Sequence, residues 1–206
     1  MKGGQAIRRC WGPHSRAGFS LIEMLFVVGI ILLLFVLYWA PNQGSKQRAA
    51  RLACKGNLER IYIALQIYAN EHAATFPSVA GARTSEGPLN LLVPHYTSDT
   101  ATFICPASPD SASPGDGSLL KTKISYAYYM GRGLTNSSQT VMSDQQVDAQ
   151  PKVPGQWVFS DTGKAPGNNH GRSGGNFLFG DGHVEPSPAK AAFPLALEPG
   201  VVLLNP

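Results

Sequence analysis

From Phe19 to Ala40 the chain reads FSLIEMLFVVGIILLLFVLYWA, 22 residues that carry one charge, Glu23. At about 1.5 Å per residue, a helix of that length crosses a hydrocarbon core of about 30 Å. A helix apolar around its whole circumference is covered only by lipid or by other apolar helices, so this segment reads as a transmembrane span. A secretory signal peptide is the alternative, but its apolar core runs about 7–15 residues and ends in a small-x-small cleavage site. Here Leu37-Tyr38-Trp39-Ala40-Pro41 puts a bulky Tyr at one required small position and Pro directly after the cut. Tyr38 and Trp39 suit the membrane interface instead.

Lys2, Arg8, Arg9 and Arg16 precede the span with no acid among them, while from residue 19 onward 13 basic side chains face 13 acidic ones. The formal charge of +4 therefore belongs to the leader. The positive-inside rule leaves the N-terminus in the cytoplasm and exports everything after Pro41. A charge-balanced exported part lacks the basic patch of a nucleic-acid binder, so no nucleic-acid partner is expected.

The junction before the span, Arg16-Ala17-Gly18-Phe19-Ser20-Leu21-Ile22-Glu23, resembles the processing site of type IV prepilins and type II secretion pseudopilins. The resemblance implies that a prepilin peptidase in the inner membrane cuts between Gly18 and Phe19 and methylates the new terminal amine of Phe19. It also implies that Glu23 serves assembly with other pilin or pseudopilin subunits. Read without the resemblance, Glu23 is a carboxylate whose burial in lipid costs about 3 kcal/mol unless it is paired. The plainer reading is a Glu wetted by headgroups near the cytoplasmic end of an anchor.

Beyond Pro41-Asn42-Gln43-Gly44-Ser45, where Pro and Gly permit a kink, a helix pattern resumes. Cys54, Leu58, Ile61, Leu65, Tyr68 and His72 fall on one face, with Arg48, Arg51, Lys55, Glu59 and Glu71 largely off it. Pro77 and the Gly/Ser-rich run from Val79 to Gly87 predict an end near Ala74. Ile124 to Met130 and Trp157-Val158-Phe159 read as strands, and Asn176 to Phe179 with His183 to Glu185 as a hairpin turned by Asp181-Gly182. Residues 107–118 and 134–155 read as polar loops. Tyr126, Tyr128 and Tyr129 are expected to be core on one strand face and surface on the other.

Cys10, Cys54 and Cys105 offer one disulfide at most, and Cys10 lies in the leader. Export to an oxidising compartment favours a Cys54–Cys105 bridge, against the alternative of two buried free thiols. The segment NNHGRSGGNFLFGDGHVE, residues 168–185, resembles a C-terminal motif of prepilin-like proteins of the planctomycete and verrucomicrobial type, in which a His precedes Asp-Gly at a set distance. The head motif here is His170, Asp181 and Gly182, with ten residues between His170 and Asp181, one more than in the family. Cys54 with Asn57-Leu58, and Phe103-Ile104-Cys105-Pro106 with Ser125-Tyr126, fit the same group.

His170, Asp181, His183 and Asp161 could be assembled into a metal or acid/base site, but they lack zinc-helix spacing and an Asp-rich calcium loop. A bracing role is the expectation, with no metal and no cofactor; calcium is the alternative. No nucleophile elbow, Walker loop or dinucleotide fingerprint occurs, so neither a catalytic residue nor an enzyme is expected. The expected fold is α+β and pilin-like: a long N-terminal helix, its first half transmembrane, packed on a small antiparallel sheet. The divisions are a leader 1–18, a membrane and assembly helix 19–40, an exported amphipathic helix 41–76 and a β-rich head 77–206. The resemblance implies a filament subunit of a type IV pilus or type II secretion pseudopilus, with the secretion or pilus assembly machinery as partner. The alternative is a single-span anchored binding module that never polymerises.

Overall fold

A computed structural model describes residues 18–39, 43–112, 117–120, 123–162, 164 and 166–206. The chain divides after Asn42 into two compact units. Residues 1–17 and 40–42, which hold most of the leader and the Pro41-Asn42 break, lie outside the described residues.

The described part of the first unit is helix α1, Leu21–Trp39. Its 18-residue stretch Leu21–Tyr38 is long and apolar enough to cross a membrane, and none of it is buried within the protein. Strong helix formers such as Leu and Met, together with the absence of Pro, sustain the helix.

The second unit begins with α2, Gln43–Glu71. At about 1.5 Å per residue its 29 residues extend about 43 Å. Cys54, Leu58, Ile61, Tyr62, Ala64, Leu65 and Ala69 are buried along one face, which is the expected stripe broadened by Tyr62 and two alanines. Tyr68 is half-buried and His72 exposed, so the stripe runs out one turn early. The helix also ends three residues before the expected Ala74. Ala73 and Ala74 take left-handed φ values of 50° and 61°, and the Ala74 N–H turns back to the Ala69 carbonyl at 2.8 Å. That closure satisfies a terminal carbonyl of the helix without glycine.

Five antiparallel strands form one sheet: β1 Tyr126–Met130, β2 Thr140–Asp144, β3 Gly175–Phe179, β4 Val184–Ser187 and β5 Val202–Leu204. Their order is β4-β3-β2-β1-β5. Side chains alternate across the pleat, so β1 sends Tyr126 and Tyr128 into a core shared with Leu58, Ile61 and Leu65 of α2. Ala127 and Tyr129 point the other way and pack with Leu203, Leu197 and Val201. Phe177 and Phe179 of β3 join Val158, Phe159, Ala191 and Leu195 on that second face. Helix and sheet make an α+β, pilin-like arrangement.

Three expectations need correction. Tyr129 is buried rather than on the surface, because the C-terminal segment covers the second face of the sheet. Trp157-Val158-Phe159 is not a strand: Trp157 makes only an isolated bridge to Lys190, and the N–H groups of Val158 and Phe159 both reach the Ala189 carbonyl. Residues 134–155 are not all loop, since β2 lies there at the middle of the sheet. Thr140, Ser143 and Asp144 gave it a polar look, yet all five of its residues are buried.

Candidate functional site

Two regions hold the residues singled out by the sequence. In the first, Gly18 to Ser20 are non-helical and α1 opens at Leu21. The N–H groups of Glu23 and Met24 both reach the Ser20 carbonyl, at 3.0 and 3.1 Å. Glu23 thus sits in the first helical turn, where unpaired N–H groups favour a negative charge. Phe19 and Glu23 are exposed, and a Cβ added at Gly18 would meet nothing within 4 Å among the described residues.

The second region is the head motif, whose two ends the fold separates. His170 lies before β3 and Asp181 follows it, and each finds a different partner. At the turn between β3 and β4, Asp181 Oδ1 accepts from the His183 backbone N–H at 3.1 Å and lies 2.5 Å from His183 Nδ1. Slight burial raises the Asp181 carboxyl, but those bonds from His183 outweigh it and hold the group below its ordinary value. His183 stacks on Phe179, with ring centroids 4.3 Å apart. Gly182 has φ 92°, and its α-carbon lies so close to the Tyr62 ring that a Cβ would run into it. The Tyr62 hydroxyl donates to the Gly180 carbonyl at 2.7 Å. Asp-Gly-His therefore forms a self-bonded turn fastened to α2.

His170 is fully buried, and its Nε2 stands 3.3 Å from Asp144 Oδ2 and 3.6 Å from Cys105 Sγ. Cys105 is bridged to Cys54 on α2, with Cα atoms 5.4 Å apart. Asp144, the last residue of β2, also accepts from Asn169 Nδ2 at 3.1 Å, the Asn176 backbone N–H at 2.7 Å and Asn176 Nδ2 at 3.1 Å. Arg51 completes the cluster by donating to the carbonyls of Ser173, Gly175 and Ser187. Burial lowers the Arg51 pKa, and the charge of Asp144 partly restores it.

Sequence reasoning singled out His170 but missed Asp144 and Arg51. The sequence places Arg51 only off the apolar stripe of α2, whereas three backbone carbonyls more than 120 residues away claim it. No local pattern announces such a partner. Asp161 remains apart, exposed beside a surface cavity of about 350 Å³ with Trp157 and Phe159. Nor does His170 with Cys105 and Asp144 form a nucleophilic triad. Both neighbours face the same ring nitrogen, whereas a base oriented by a carboxylate uses its two nitrogens separately.

Compared with known families, residues 13–38 match the prokaryotic N-terminal methylation motif. The match supports a type IV pilin-like protein. No curated protein and no solved structure matches the chain. The motif spans the Gly18-Phe19 junction, Glu23 and nearly all of α1, and it points to a structural, prepilin-type protein whose N-terminal apolar helix is consistent with a membrane anchor.

Proposed function

We propose that the chain is a subunit of a type IV pilus-like or type II secretion pseudopilus filament, cut by a prepilin peptidase between Gly18 and Phe19. The observation that carries this reading is the methylation motif at residues 13–38, whose stretch Leu21–Tyr38 lies on a helix with no burial of its own. Such a helix is covered by lipid before assembly and by copies of itself afterwards, so one apolar segment serves both states. The open space at Gly18 supports the cleavage site. Packing among the described residues does not require glycine there, whereas an enzyme approaching the backbone closely does.

The precursor is held in the inner membrane with its N-terminus cytoplasmic and its head outside. Lys46, Arg48, Arg51 and Lys55 follow the span as closely as four basic residues precede it, so this orientation rests on the prepilin motif more than on charge bias. Its partners are the peptidase, other pilin or pseudopilin subunits and the assembly machinery. The His170, Asp181 and Gly182 pattern supports a place in the planctomycete and verrucomicrobial group.

Intact mass of protein from cells with an active prepilin peptidase tests the reading. The expected mature chain begins at Phe19 and carries one methyl group. A terminus beyond residue 40, or an uncut Met1, overturns the prepilin assignment. Cross-linking of the mature protein then distinguishes ladders of a filament from the single band of an anchored, non-polymerising module.

A further inference from the structure

Four side chains of ligand type converge in the interior of the head. The Sγ atoms of Cys54 and Cys105, a carboxylate oxygen of Asp144 and a ring nitrogen of His170 all lie within 4.8 Å of one another, and all four residues are buried. We propose that, once the Cys54–Cys105 bridge is reduced, these four residues form a closed tetrahedral site for a thiophilic divalent cation of the zinc class.

The geometry supports this directly. With Zn–S of about 2.3 Å, Zn–N of about 2.05 Å and Zn–O of about 2.0 Å, a regular tetrahedron has ligand edges of about 3.6 Å for S···N and about 3.3 Å for N···O. Cys105 Sγ to His170 Nε2 is 3.6 Å, and His170 Nε2 to Asp144 Oδ2 is 3.3 Å. The S···S edge, about 3.8 Å by the same construction, is reached by side-chain rotation from Cα atoms 5.4 Å apart.

Chemistry selects the cation. Two thiolates and an imidazole favour zinc-like ions over calcium or magnesium, which would find one carboxylate here. Asp144 is held for the task by Asn169 and Asn176, the kind of outer support that fixes a ligating carboxylate. Among the described residues His170 Nδ1 has no hydrogen-bond partner, so the ring proton can move there, and the Nε2 contact with Asp144 gives way to both groups binding the same cation. Two thiolates, one carboxylate and a dication leave one net negative charge, and Arg51, whose guanidinium feels Asp144, offsets it.

The steps balance. A dithiol reductant gives two electrons and two protons to the bridge and leaves as its own disulfide, while Cys54 and Cys105 become thiols. The cation then displaces both thiol protons. Either closed state, disulfide or metal, ties α2 to the segment that ends at Cys105. The inference rests on α2 and the head alone and does not depend on filament assembly.

The test uses the detergent-solubilised full chain in a Cys10→Ser background, which removes the leader thiol. After treatment with a phosphine reductant and removal of metals, Co²⁺ is titrated and then displaced by Zn²⁺. The expected result is one Co²⁺ per chain with tetrahedral ligand-field bands and sulfur-to-cobalt charge transfer, and Zn²⁺ protection of both thiols against alkylation. The disulfide form should bind none at this site, and reduced Cys54→Ser and His170→Ala should bind at least about tenfold more weakly. Far-UV circular dichroism establishes that each variant is folded, and thiol protection in the unsubstituted site needs no variant. No cobalt uptake, a spectrum without sulfur charge transfer, unprotected thiols, or equal uptake by the oxidised chain overturns the proposal.

Discussion

His170 Nε2 stands 3.3 Å from Asp144 Oδ2, and neither side chain is reached by solvent. The pair joins the end of β2 to the loop before β3, and Asn169 and Asn176 flank it. Replacing Asp144 by Ala strands the Asn176 N–H and both amide donors as well as His170. The expected loss is about 3–5 kcal/mol, because several buried donors lose their acceptor at about 1–3 kcal/mol each. His170→Ala leaves Asp144 with its three other donors and should cost less. Urea denaturation of the disulfide-intact protein measures both, and an equal or reversed order would refute the ranking.

Tyr126 and Tyr128 on one face of β1 and Tyr129 on the other are all buried, and burial pushes all three hydroxyls up. Tyr129 reaches about 12, with the Gln146 bond and the charge of Arg132 acting against the rise. A raised folded-state value means that the folded protein holds the proton more tightly. That share of stability is complete below the unfolded value of about 10 and is lost as pH rises through the folded one. Unfolding in base should therefore set in between about pH 10 and 12, together with the tyrosinate absorbance of the buried rings. Tyrosinate appearing near pH 10 with the fold intact would contradict it.

Two glycines should respond oppositely to alanine. Gly182 has φ 92° and abuts the Tyr62 ring, so Gly182→Ala meets both a left-handed backbone cost of about 1–2 kcal/mol and a steric clash. Gly56 lies within α2 with nothing within 4 Å of an added Cβ. Gly56→Ala should stabilise by about 0.5–1 kcal/mol through helix propensity. Thermal unfolding of the two variants should shift the midpoint in opposite directions.

Closing a loop of 51 residues, the Cys54–Cys105 bridge restricts the unfolded chain. The chain-entropy relation gives about 4 kcal/mol at that length. A Cys54→Ser, Cys105→Ser double variant, kept metal-free, should lose up to that amount in urea denaturation. An unchanged midpoint would show that the packing around Leu58 and Phe103 holds the head closed by itself.

What could be read from the sequence was what local pattern encodes. The span at Leu21–Tyr38, the buried face of α2 from Cys54 to Leu65 and the β3–β4 hairpin at Asp181-Gly182 each carry their signal within a few residues. Strand β2 carries none: Thr140, Ser143 and Asp144 are polar, and their burial makes sense only with partners such as Asn176, 32 residues further on. Arg51 likewise reads only as a residue off the apolar stripe, because three carbonyls beyond residue 170 are invisible at position 51. The Asp144–His170 centre was therefore half legible, with the His marked by resemblance and its carboxylate by nothing nearby.

Glu23 carries the last prediction. It lies in the first turn of α1, exposed and within a segment that otherwise suits hydrocarbon. A lone carboxylate there is tolerated when an opposite charge meets it. In the proposed filament the partner is the methylated amine of Phe19, created by cleavage after Gly18 and brought by a neighbouring subunit. Two unit charges 4 Å apart at an effective dielectric of 20 attract by about 4 kcal/mol, enough to favour one axial register among otherwise similar apolar helix contacts. Glu23→Val should leave cleavage after Gly18 intact and improve membrane retention, because it removes a charge from lipid. It should also deplete the filament fraction sheared from cells, relative to the membrane fraction, by at least about tenfold. Equal filament yield from Glu23→Val and the unsubstituted protein would show that the carboxylate does not set the register, and weight would move to an anchored module that never polymerises.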